Sequence, residues 1–401
     1  MRILHVSDVY FPRVNGVSTS IRTFRAELER LGHESALVAP RYPVGDTDEP
    51  GVHRIDSRYL PLDPEDRAMR WRPLRALARE LAPRRFDLVH VQTPFLAHYA
   101  GLAFARAWDV PAVATYHTLF EEYLFHYVPF APRAAMRALA RRFSRGQCNA
   151  LDAVVAPSGP MRDALRRYGV TAPIEVIPTG LRPEELTGGD GARFRSRYGI
   201  PPSRPLLAFV GRVAFEKNID FLLRMLLQVR REIPDVLLVV TGEGPAESRL
   251  KRLATALELD ANVRFLGYLD RGSALLDCYR AADAFVFASR TETQGLVLLE
   301  AMALGTPVVA LAVMGTADIL REGRGALIAP DDEREFAARV VAVLADPELA
   351  AALSASAREH AAAWSAAAMA RRLAGLYERV LASRAGRVRA RDPAAVATTA
   401  D

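Results

Sequence analysis

Length, composition and charge limit what this chain can be. Its 401 residues are 50% hydrophobic, which supplies enough apolar material for the cores of two to three domains. No apolar run approaches the roughly 20 residues that span a bilayer, and residues 1–6 predict a first strand rather than a secretory signal, so we expect a protein of the cytoplasm. The two cysteines, Cys148 and Cys278, fall in different predicted domains, and a disulfide framework is not expected.

The net charge of +6 would ordinarily indicate an anionic partner, but here it is weak evidence. Of the 53 basic residues, 51 are arginines and only Lys217 and Lys251 are lysines. This bias, with the abundant alanine, is typical of a genome-wide composition. We therefore predict no nucleic-acid partner, and the position of Lys217 is more informative than that of a single arginine.

In chain order, short apolar runs alternate with helical patterns twice over, which predicts two doubly wound α/β units. The strands predicted for the first unit are 3–6, 35–38, 88–91, 113–116, 154–156 and 175–177. Those predicted for the second unit are 206–210, 236–241, 263–266, 284–288, 307–311 and 326–328. Ligands of such sheets bind beyond the carboxyl ends of the strands, so two sheets that face each other would form a cleft.

A stretch rich in proline, glycine and charge, residues 179–190, predicts a linker between the units. We place two domains at 1–182 and 183–362, followed by a helix at 363–383 that has apolar residues at helical spacing. Residues 384–401 have few large apolar side chains, so we expect a disordered tail.

The segment around Gly295 carries the strongest functional signal. A buried strand precedes it, and the pattern predicts a helix from Leu296 to Leu304. The first N–H groups of a helix have no internal partner and lie at the positive end of its dipole. The backbone at Gly295, Leu296 and Val297 can therefore receive a diphosphate.

Two carboxylates lie on either side of this helix start. Glu292 would lie in the loop before the helix. Glu300, about one turn inside it, could accept hydrogen bonds from vicinal ribose hydroxyls, as acidic residues do in dinucleotide folds. Taken alone, the pair could also be two solvated glutamates that flank a helix.

The spacing of Glu292 and Glu300 resembles the Glu-x7-Glu signature of retaining glycosyltransferases of family 4, which have the GT-B fold. The resemblance continues through residues 305–310, is joined by residues 211–218, which are similar to the phosphate-binding loop of that family, and covers about residues 2 to 382. It implies transfer of a hexose from a nucleotide-diphosphate sugar to an acceptor hydroxyl, with retained anomeric configuration and no essential metal or other cofactor. It also implies that domain 1–182 binds the acceptor, that domain 183–362 binds the nucleotide sugar, and that helix 363–383 crosses back onto the first domain.

Two cations, Arg212 and Lys217, follow the first strand of the second unit. Two positive charges there can neutralise a diphosphate leaving group as its bond to the anomeric carbon lengthens. No cluster of His, Asp and Cys shows metal-ligand spacing, so we predict no metal site. For Arg212 alone, an ordinary surface arginine is the alternative.

Two residues of the first unit are further candidates. His117 follows the strand at 113–116, where a structural histidine is the common case; the resemblance implies a contact with the sugar, and we add a possible proton relay. Gly16 lies in the loop after the first strand and lets backbone approach a ligand closely. The resemblance places this loop over the transferred sugar, although an ordinary turn would also explain the glycine.

The predicted site therefore has two sets of residues. The catalytic set is His117, Glu292, Arg212 and Lys217. The turns 241–245 and 265–268 would line the base pocket without determining which base is bound. The donor-binding set is Gly16, Gly242, Glu243, Leu266, Tyr268, Thr293, Gly295, Leu296, Val297 and Glu300.

An acceptor signal lies between the fourth and fifth strands. Residues 119–130 contain five aromatics, and arginines follow at intervals of four, which is the layout of an interfacial amphipathic helix. Residues 116–124 resemble the corresponding stretch of diacylglycerol glucosyltransferases but depart from it at Phe120 and Glu122. The alternative is a core helix with solvated arginines. The residues predicted to contact a lipid acceptor and an anionic membrane surface are Tyr116, Phe120, Tyr123, Phe125, Arg133, Arg137, Arg141 and Arg145.

We predict an α/β protein of the GT-B fold, with two Rossmann-like domains and a C-terminal crossover helix. Its predicted function is retaining transfer of a hexose, with a UDP-sugar favoured as donor, to a membrane lipid or lipid-linked acceptor at the inner face of the cell membrane. The open alternatives are a GDP-mannose-dependent mannosyltransferase, a soluble or polysaccharide acceptor, a nucleotide-sugar epimerase and a non-enzymatic nucleotide-binding protein. A Rossmann dehydrogenase is disfavoured because no G-x-G-x-x-G follows the first strand.

Overall fold

The computed structural model describes residues 1–43, 45, 49–60, 63–118 and 133–391. The chain divides into two compact units. The first contains Met1–Thr179 and Ala366–Asp401, and the second is Gly180–Ser365. The chain therefore passes from one unit to the other at two places, a few residues from the boundaries at 182 and 362 that we placed from composition.

The first unit is built on a parallel sheet with helices between its strands. Its strands are β1 Arg2–Val6, β2 Glu34–Pro40, β3 Val52–Ile55, β4 Ser57–Leu60, β5 Asp63–Met69, β6 Leu88–Val91, β7 Ala112–Thr115, β8 Ala153–Ala156 and β9 Ile174–Val176. Its helices before the crossing are α1 Gly16–Arg30, α2 Trp71–Leu81, α3 Leu96–Ala107, α4 Arg133–Cys148 and α5 Gly159–Arg167.

The strand order in this sheet is β3-β2-β1-β6-β7-β8-β9, and β4 and β5 form a separate antiparallel pair. Successive strands are added on one side of β1 as far as β3 and on its other side from β6 onward. The carboxyl ends of β1 and β6 therefore flank a topological switch point, where ligands of open α/β sheets bind.

The second unit repeats this plan. Its strands are β10 Leu206–Val210, β11 Leu237–Thr241, β12 Val263–Gly267, β13 Ala284–Phe287, β14 Val308–Leu311 and β15 Ala326–Ala329. Its helices are α6 Gly191–Arg197, α7 Ile219–Glu232, α8 Glu247–Ala256, α9 Ala274–Ala281, α10 Leu296–Ala303, α11 Gly315–Leu320, α12 Glu333–Ala345 and α13 Pro347–Ala362. The sheet order is β12-β11-β10-β13-β14-β15, so the switch point lies between β10 and β13.

The central strands form because they are continuous apolar runs that can be covered by helices on both faces. All five residues of β10 are buried, as are all four of β13 and of β14. Each of the six strands predicted for this unit is confirmed, with ends that agree to within one residue.

The first unit contains three strands that the sequence did not predict. Strand β3 includes His53 and Arg54 and is mostly half-buried at the edge of the sheet. The pair β4 and β5 is rich in charged residues. Edge strands and isolated hairpins tolerate polar side chains, so they lack the apolar run that identified the central strands.

The last helix, α14 Ala366–Arg391, belongs to the first unit. Its buried side chains include Leu373 and Tyr377, and the Tyr377 hydroxyl lies 2.6 Å from His90 Nδ1. The helix continues through Arg391, eight residues into the predicted disordered tail, so the tail prediction is corrected over 384–391. Arginine and alanine favour helix there, and Arg384 forms an ion pair with Asp109. Residues 392–401 lie outside the described part of the chain.

Within the described ranges, no single helix is both long and apolar enough to cross a membrane, and one bent pair, α12 with α13, meets those criteria only in combination. The two cysteines are free and buried, Cys148 in the first unit and Cys278 in the second. Burial raises the pKa of both thiols to about 12, which suits structural rather than reactive cysteines.

Candidate active site

The switch point of the second unit brings two predicted motifs together. Strands β10 and β13 are neighbours, so the loops that follow them leave the sheet side by side. The loop after β10 contains a short 3-10 helix, Phe215–Lys217, and ends at Asn218, whose side-chain amide donates to the Ala288 carbonyl at 3.0 Å. This bond attaches the basic loop to the end of β13.

Lys217 and Glu292 contact each other directly. Lys217 Nζ donates to Glu292 Oε1 at 2.5 Å, with side chains that are 20% and 15% exposed. The contact joins the loop after β10 to the loop after β13. Arg212, the second predicted cation, lies five residues earlier in the same basic loop and is half-buried.

Helix α10 begins as the motif predicted. Gly295 has a φ of 96°, a left-handed conformation that costs glycine little, and it precedes the first helical residue, Leu296. Thr293 and Val297 are half-buried beside it. The start of α11 also supports this turn, because Gly315 N donates to the Glu292 carbonyl at 2.8 Å.

Glu300 lies inside α10, and its side chain is 3% exposed. Two side chains donate to its carboxylate: Arg271 to Oε1, and the Tyr279 hydroxyl to Oε2 at 2.9 Å. Sequence reasoning missed both donors. The chain has 51 arginines, and Arg271 lies in an irregular loop with no motif to single it out. Tyr279 lies in a helix whose apolar pattern predicts only a core position.

The turns after β11 and β12 are adjacent, as expected for neighbouring parallel strands. Gly242 N donates to the Gly267 carbonyl at 2.7 Å. A Cβ atom at Gly242 would lie 2.0 Å from the Gly211 carbonyl oxygen, so the packing of these loops by itself requires a glycine here. Three predicted base-pocket residues differ in exposure: Glu243 and Tyr268 are exposed, Tyr268 by 52%, and Leu266 is half-buried.

In the first unit, His117 follows β7 and is held by a buried network. Its Nε2 donates to Gln92 Oε1 at 3.1 Å, and Gln92 Nε2 donates to His5 Nδ1 at 3.1 Å. Desolvation lowers the pKa of His117 to about 4, so the ring is neutral at pH 7 and Nδ1 carries its lone pair. Gln92 directly follows β6 at the switch point, a position from which sequence reasoning could have found it.

Gly16 and Tyr116 take different positions from those expected. Gly16 is the first residue of α1, after the N-cap Asn15, and a Cβ atom there would meet no other atom within 4 Å. The protein's own packing therefore does not require this glycine. Tyr116 is 7% exposed, and its hydroxyl lies 2.7 Å from Ser144 Oγ on α4. Tyr116 thus belongs to the interior of the unit rather than to an exposed acceptor surface, which corrects the prediction.

Helix α4 presents arginines to solvent and a small-residue face to the core. Ala140, Ser144 and Cys148 are buried, whereas Leu139 is 58% exposed. An open cavity of about 500 Å³ lies along its outer face. The side chains that line this cavity include Arg137, Arg141, Arg142, Arg145 and Tyr168. The side chain of Arg133 and the residues Phe120, Tyr123 and Phe125 lie outside the described part of the chain.

No group of three or more His, Cys, Asp or Glu side chains that could hold a metal ion occurs among the described residues. The prediction of no metal site overlooked one D-x-D pair in the sequence, Asp46 and Asp48, which lies outside the described residues.

Two Rossmann-like units, with a basic loop and a Glu-bounded helix start at the switch point of the second, define a glycosyltransferase of the GT-B fold. Residues 14–185 match the family described as Glycosyltransferase Family 4, and residues 191–360 match the family described as Glycosyl transferases group 1. The chain belongs to glycosyltransferase family 4.

Two curated relatives and one solved structure illustrate the similarity. An alpha-monoglucosyldiacylglycerol synthase of Streptococcus pneumoniae is 36% identical over 77% of this chain and 71% of its own. A GDP-mannose-dependent alpha-mannosyltransferase of Mycobacterium tuberculosis is 32% identical over 84% of this chain and 85% of its own. Sucrose-phosphate synthase from Thermosynechococcus elongatus has the same fold, with a TM-score of 0.77 and 23% identity over 96% of this chain and all of that one. The chain is therefore similar to hexosyltransferases that differ in donor and acceptor.

Proposed function

We propose that this glycosyltransferase moves a hexose, with retention, from a nucleotide-diphosphate sugar to the hydroxyl of a membrane lipid or lipid-linked acceptor, with a UDP-sugar favoured as donor. The observation that carries the donor half of this proposal is the contact between Lys217 and Glu292. It places a cation and a carboxylate from two separate motifs beside the start of α10, at the edge of the sheet where ligands bind.

In this proposal the diphosphate lies against the start of α10. The first backbone N–H groups of the helix, at Gly295, Leu296 and Val297, donate to phosphate oxygens. Arg212 and Lys217 supply the positive charge that stabilises the leaving group. Glu300 accepts hydrogen bonds from the ribose hydroxyls. Glu292, held by Lys217, orients the sugar.

The group transfer then proceeds on one face of the sugar. The bond between the anomeric carbon and the β-phosphate oxygen breaks, and its electron pair leaves with the nucleoside diphosphate. The acceptor hydroxyl oxygen bonds to the anomeric carbon from the same face, and its proton passes to the leaving phosphate oxygen. The residues of the second unit favour this route because they concentrate positive charge where negative charge develops.

His117 acts in this scheme as a neutral hydrogen-bonding residue rather than as a proton carrier. With a pKa near 4, its ring is a weak base at pH 7. Because Nε2–H is directed to Gln92, Nδ1 is the atom that can accept a hydrogen bond from a sugar hydroxyl. In this proposal His117 therefore contacts the sugar and does not serve as the proton relay that the sequence analysis also considered.

The lipid acceptor is supported by the exposed arginines of α4 and by the relative from Streptococcus pneumoniae, which is named as a synthase of the glycolipid monoglucosyldiacylglycerol. The mannosyltransferase relative supports the second candidate, transfer from GDP-mannose. The deciding experiment incubates the enzyme with labelled UDP- and GDP-sugars and total membrane lipid, then separates the products. Label that moves into lipid only from a UDP-sugar is the expected result. Label from GDP-mannose would select the second candidate, and an altered donor without transfer would indicate an epimerase.

We expect activity to persist in excess EDTA. The cations Arg212 and Lys217 and the dipole of α10 supply the charge that a divalent ion supplies in metal-dependent transferases. The measurement is single-turnover transfer with and without chelator, which separates the chemical step from product release. Complete loss of single-turnover transfer, restored by added metal, would contradict the mechanism and direct attention to Asp46 and Asp48.

We expect the enzyme to bind vesicles that contain anionic lipid and to leave them as salt rises. Each basic residue near such a surface contributes about 1 kcal/mol, screened beyond roughly 10 Å at 0.1 M salt. Replacing four of the five α4 arginines with glutamine should abolish flotation and slow transfer to lipid, with nucleotide binding unchanged. The replaced residues are Arg133, Arg137, Arg141 and Arg145.

A matched control replaces four exposed arginines on helices α8 and α12 of the second unit, and this variant should still float with vesicles. The control residues are Arg249, Arg252, Arg334 and Arg339. Equal flotation of the α4 variant and the wild type would show that α4 is a core helix with solvated arginines. The peripheral location at the inner membrane face would then lose its main support.

A further inference from the structure

Side chains from three segments of the second unit meet at the Glu300 carboxylate. Arg271 lies in the loop between β12 and α9, Tyr279 lies in α9, and Glu300 lies in α10. The Glu300 side chain is 3% exposed and that of Arg271 is 28% exposed. A carboxylate this deeply buried needs compensating donors, because the loss of its hydration would otherwise disfavour the charged form.

The two donors are held differently. Tyr279 is fully buried, its ring packs against Phe285 at 5.7 Å, and its backbone carbonyl accepts from Thr306 Oγ1 at 2.7 Å. Arg271 comes from an irregular loop, and the negative charge of Glu300 raises its pKa further above the ordinary value for arginine. Burial raises the pKa of Tyr279 as well, so both groups remain protonated donors at physiological pH.

The arrangement leaves the carboxylate able to accept more. A carboxylate has about four lone-pair positions, two on each oxygen. Arg271 uses one position on Oε1 and Tyr279 uses one on Oε2. Each oxygen thus retains capacity for one further donor, which matches a pair of vicinal hydroxyls.

We propose that Arg271 is a positioning residue, which together with Tyr279 orients the Glu300 carboxylate so that one lone pair on each oxygen meets the 2′- and 3′-hydroxyls of the donor ribose. This rests on the proposed function, in which Glu300 binds the ribose. Arg271 touches the carboxylate and not the ribose, so its effect on the donor passes through Glu300.

The test asks whether the effect of replacing Arg271 depends on the 2′-hydroxyl of the nucleotide. Affinities for UDP and for 2′-deoxy-UDP are measured by calorimetry on the wild type and on Arg271→Gln. If the donor panel selects GDP, then GDP and 2′-deoxy-GDP are the probes. We expect the wild type to bind 2′-deoxy-UDP roughly tenfold more weakly than UDP, which corresponds to the loss of one charge-assisted hydrogen bond. Arg271→Gln should bind UDP roughly tenfold more weakly than the wild type does. Its affinities for UDP and for 2′-deoxy-UDP should then be nearly equal.

Direct contact between Arg271 and phosphate predicts a different pattern. Arg271→Gln would then lose the same factor of affinity for UDP and for 2′-deoxy-UDP, and it would still prefer UDP by the wild-type factor. That result would overturn the proposal. Unchanged UDP affinity in Arg271→Gln would overturn it too, since the ion pair would then be purely structural. Arg271→Lys keeps the positive charge but not the planar guanidinium. We therefore expect its preference for UDP over 2′-deoxy-UDP to lie between those of Arg271→Gln and the wild type.

Two further variants control for stability. Arg193→Gln removes another arginine that pairs with a buried carboxylate in the same unit, Asp277, at 2.7 Å, and should leave both affinities unchanged. Tyr279→Phe deletes only the hydroxyl, so it should reduce the 2′-hydroxyl penalty even if Arg271→Gln does not fold; an intact penalty would overturn the proposal. Wild-type affinity in Glu300→Gln would instead refute the proposed donor site itself.

Discussion

Substituting the two motif glutamates should separate donor binding from turnover. Glu300→Gln is expected to weaken nucleotide binding roughly ten- to hundredfold, because a charge-assisted hydrogen bond in a buried site contributes on the order of 1.5 to 3 kcal/mol. Glu292→Ala is expected to lower kcat by a similar factor with a smaller effect on nucleotide affinity, because its carboxylate orients the sugar. The measurements are calorimetric titration with nucleoside diphosphate and initial-rate kinetics.

The choice of glutamine at Glu300 follows from the structure. Glu300→Ala would leave Arg271 and the buried Tyr279 hydroxyl without their acceptor, and a buried charge that loses its partner destabilises the fold. A glutamine retains an oxygen for Arg271 and similar volume. Thermal unfolding of each variant identifies any loss that comes from misfolding. Wild-type affinity and rate in both folded variants would show that the motif is a pair of helix-flanking glutamates.

Removing Lys217 should have the largest effect on the chemical step. Its ammonium lies at the Glu292 carboxylate, beside the start of α10, where the leaving diphosphate gains charge. Loss of one preorganised electrostatic group of this kind typically lowers kcat by about a hundred- to a thousandfold. Lys217→Ala is therefore expected to reduce single-turnover transfer by roughly that factor. Lys217→Arg should recover only part, because a planar guanidinium is not equivalent to a compact ammonium.

The chain provides a matched control for this variant. Lys251, the other lysine, pairs with Glu247 on the surface of α8 at 2.7 Å and is 55% exposed. Lys251→Ala should leave transfer unchanged, since exposed i,i+4 pairs contribute only a few tenths of a kcal/mol. Equal rates in the two lysine variants would show that Lys217 is a structural partner of Glu292 and no more.

Strands were recognised from local pattern where they form continuous apolar runs, whereas their order in each sheet was decided by the tertiary structure. Strands such as β10 and β13 are buried on both faces, so their sequences are continuous apolar runs that could be recognised without a structure. Strand β3 and the β4–β5 pair contain polar and charged residues that interrupt any apolar run, so they were missed. Helix α14 was placed correctly by its apolar spacing, but its end was not, since the helix continues to Arg391 rather than ending at residue 383.

The sequence by itself determined the family and the two-unit plan. It also predicted candidate site residues whose types are unusual at their positions: one of two lysines after a strand, and two carboxylates at a glycine-opened helix start. These signals are local, because strand–loop–helix junctions are encoded by neighbouring residues. Only the tertiary structure decided which groups meet. Arg271 and Tyr279 contact Glu300 from other elements, and Gln92 contacts His117 in the same way. The burial of Tyr116 against Ser144 also could not be predicted from the sequence. A long-range pair leaves no local pattern when one partner is a common residue in an irregular loop, so its chemistry appears only once the chain has folded.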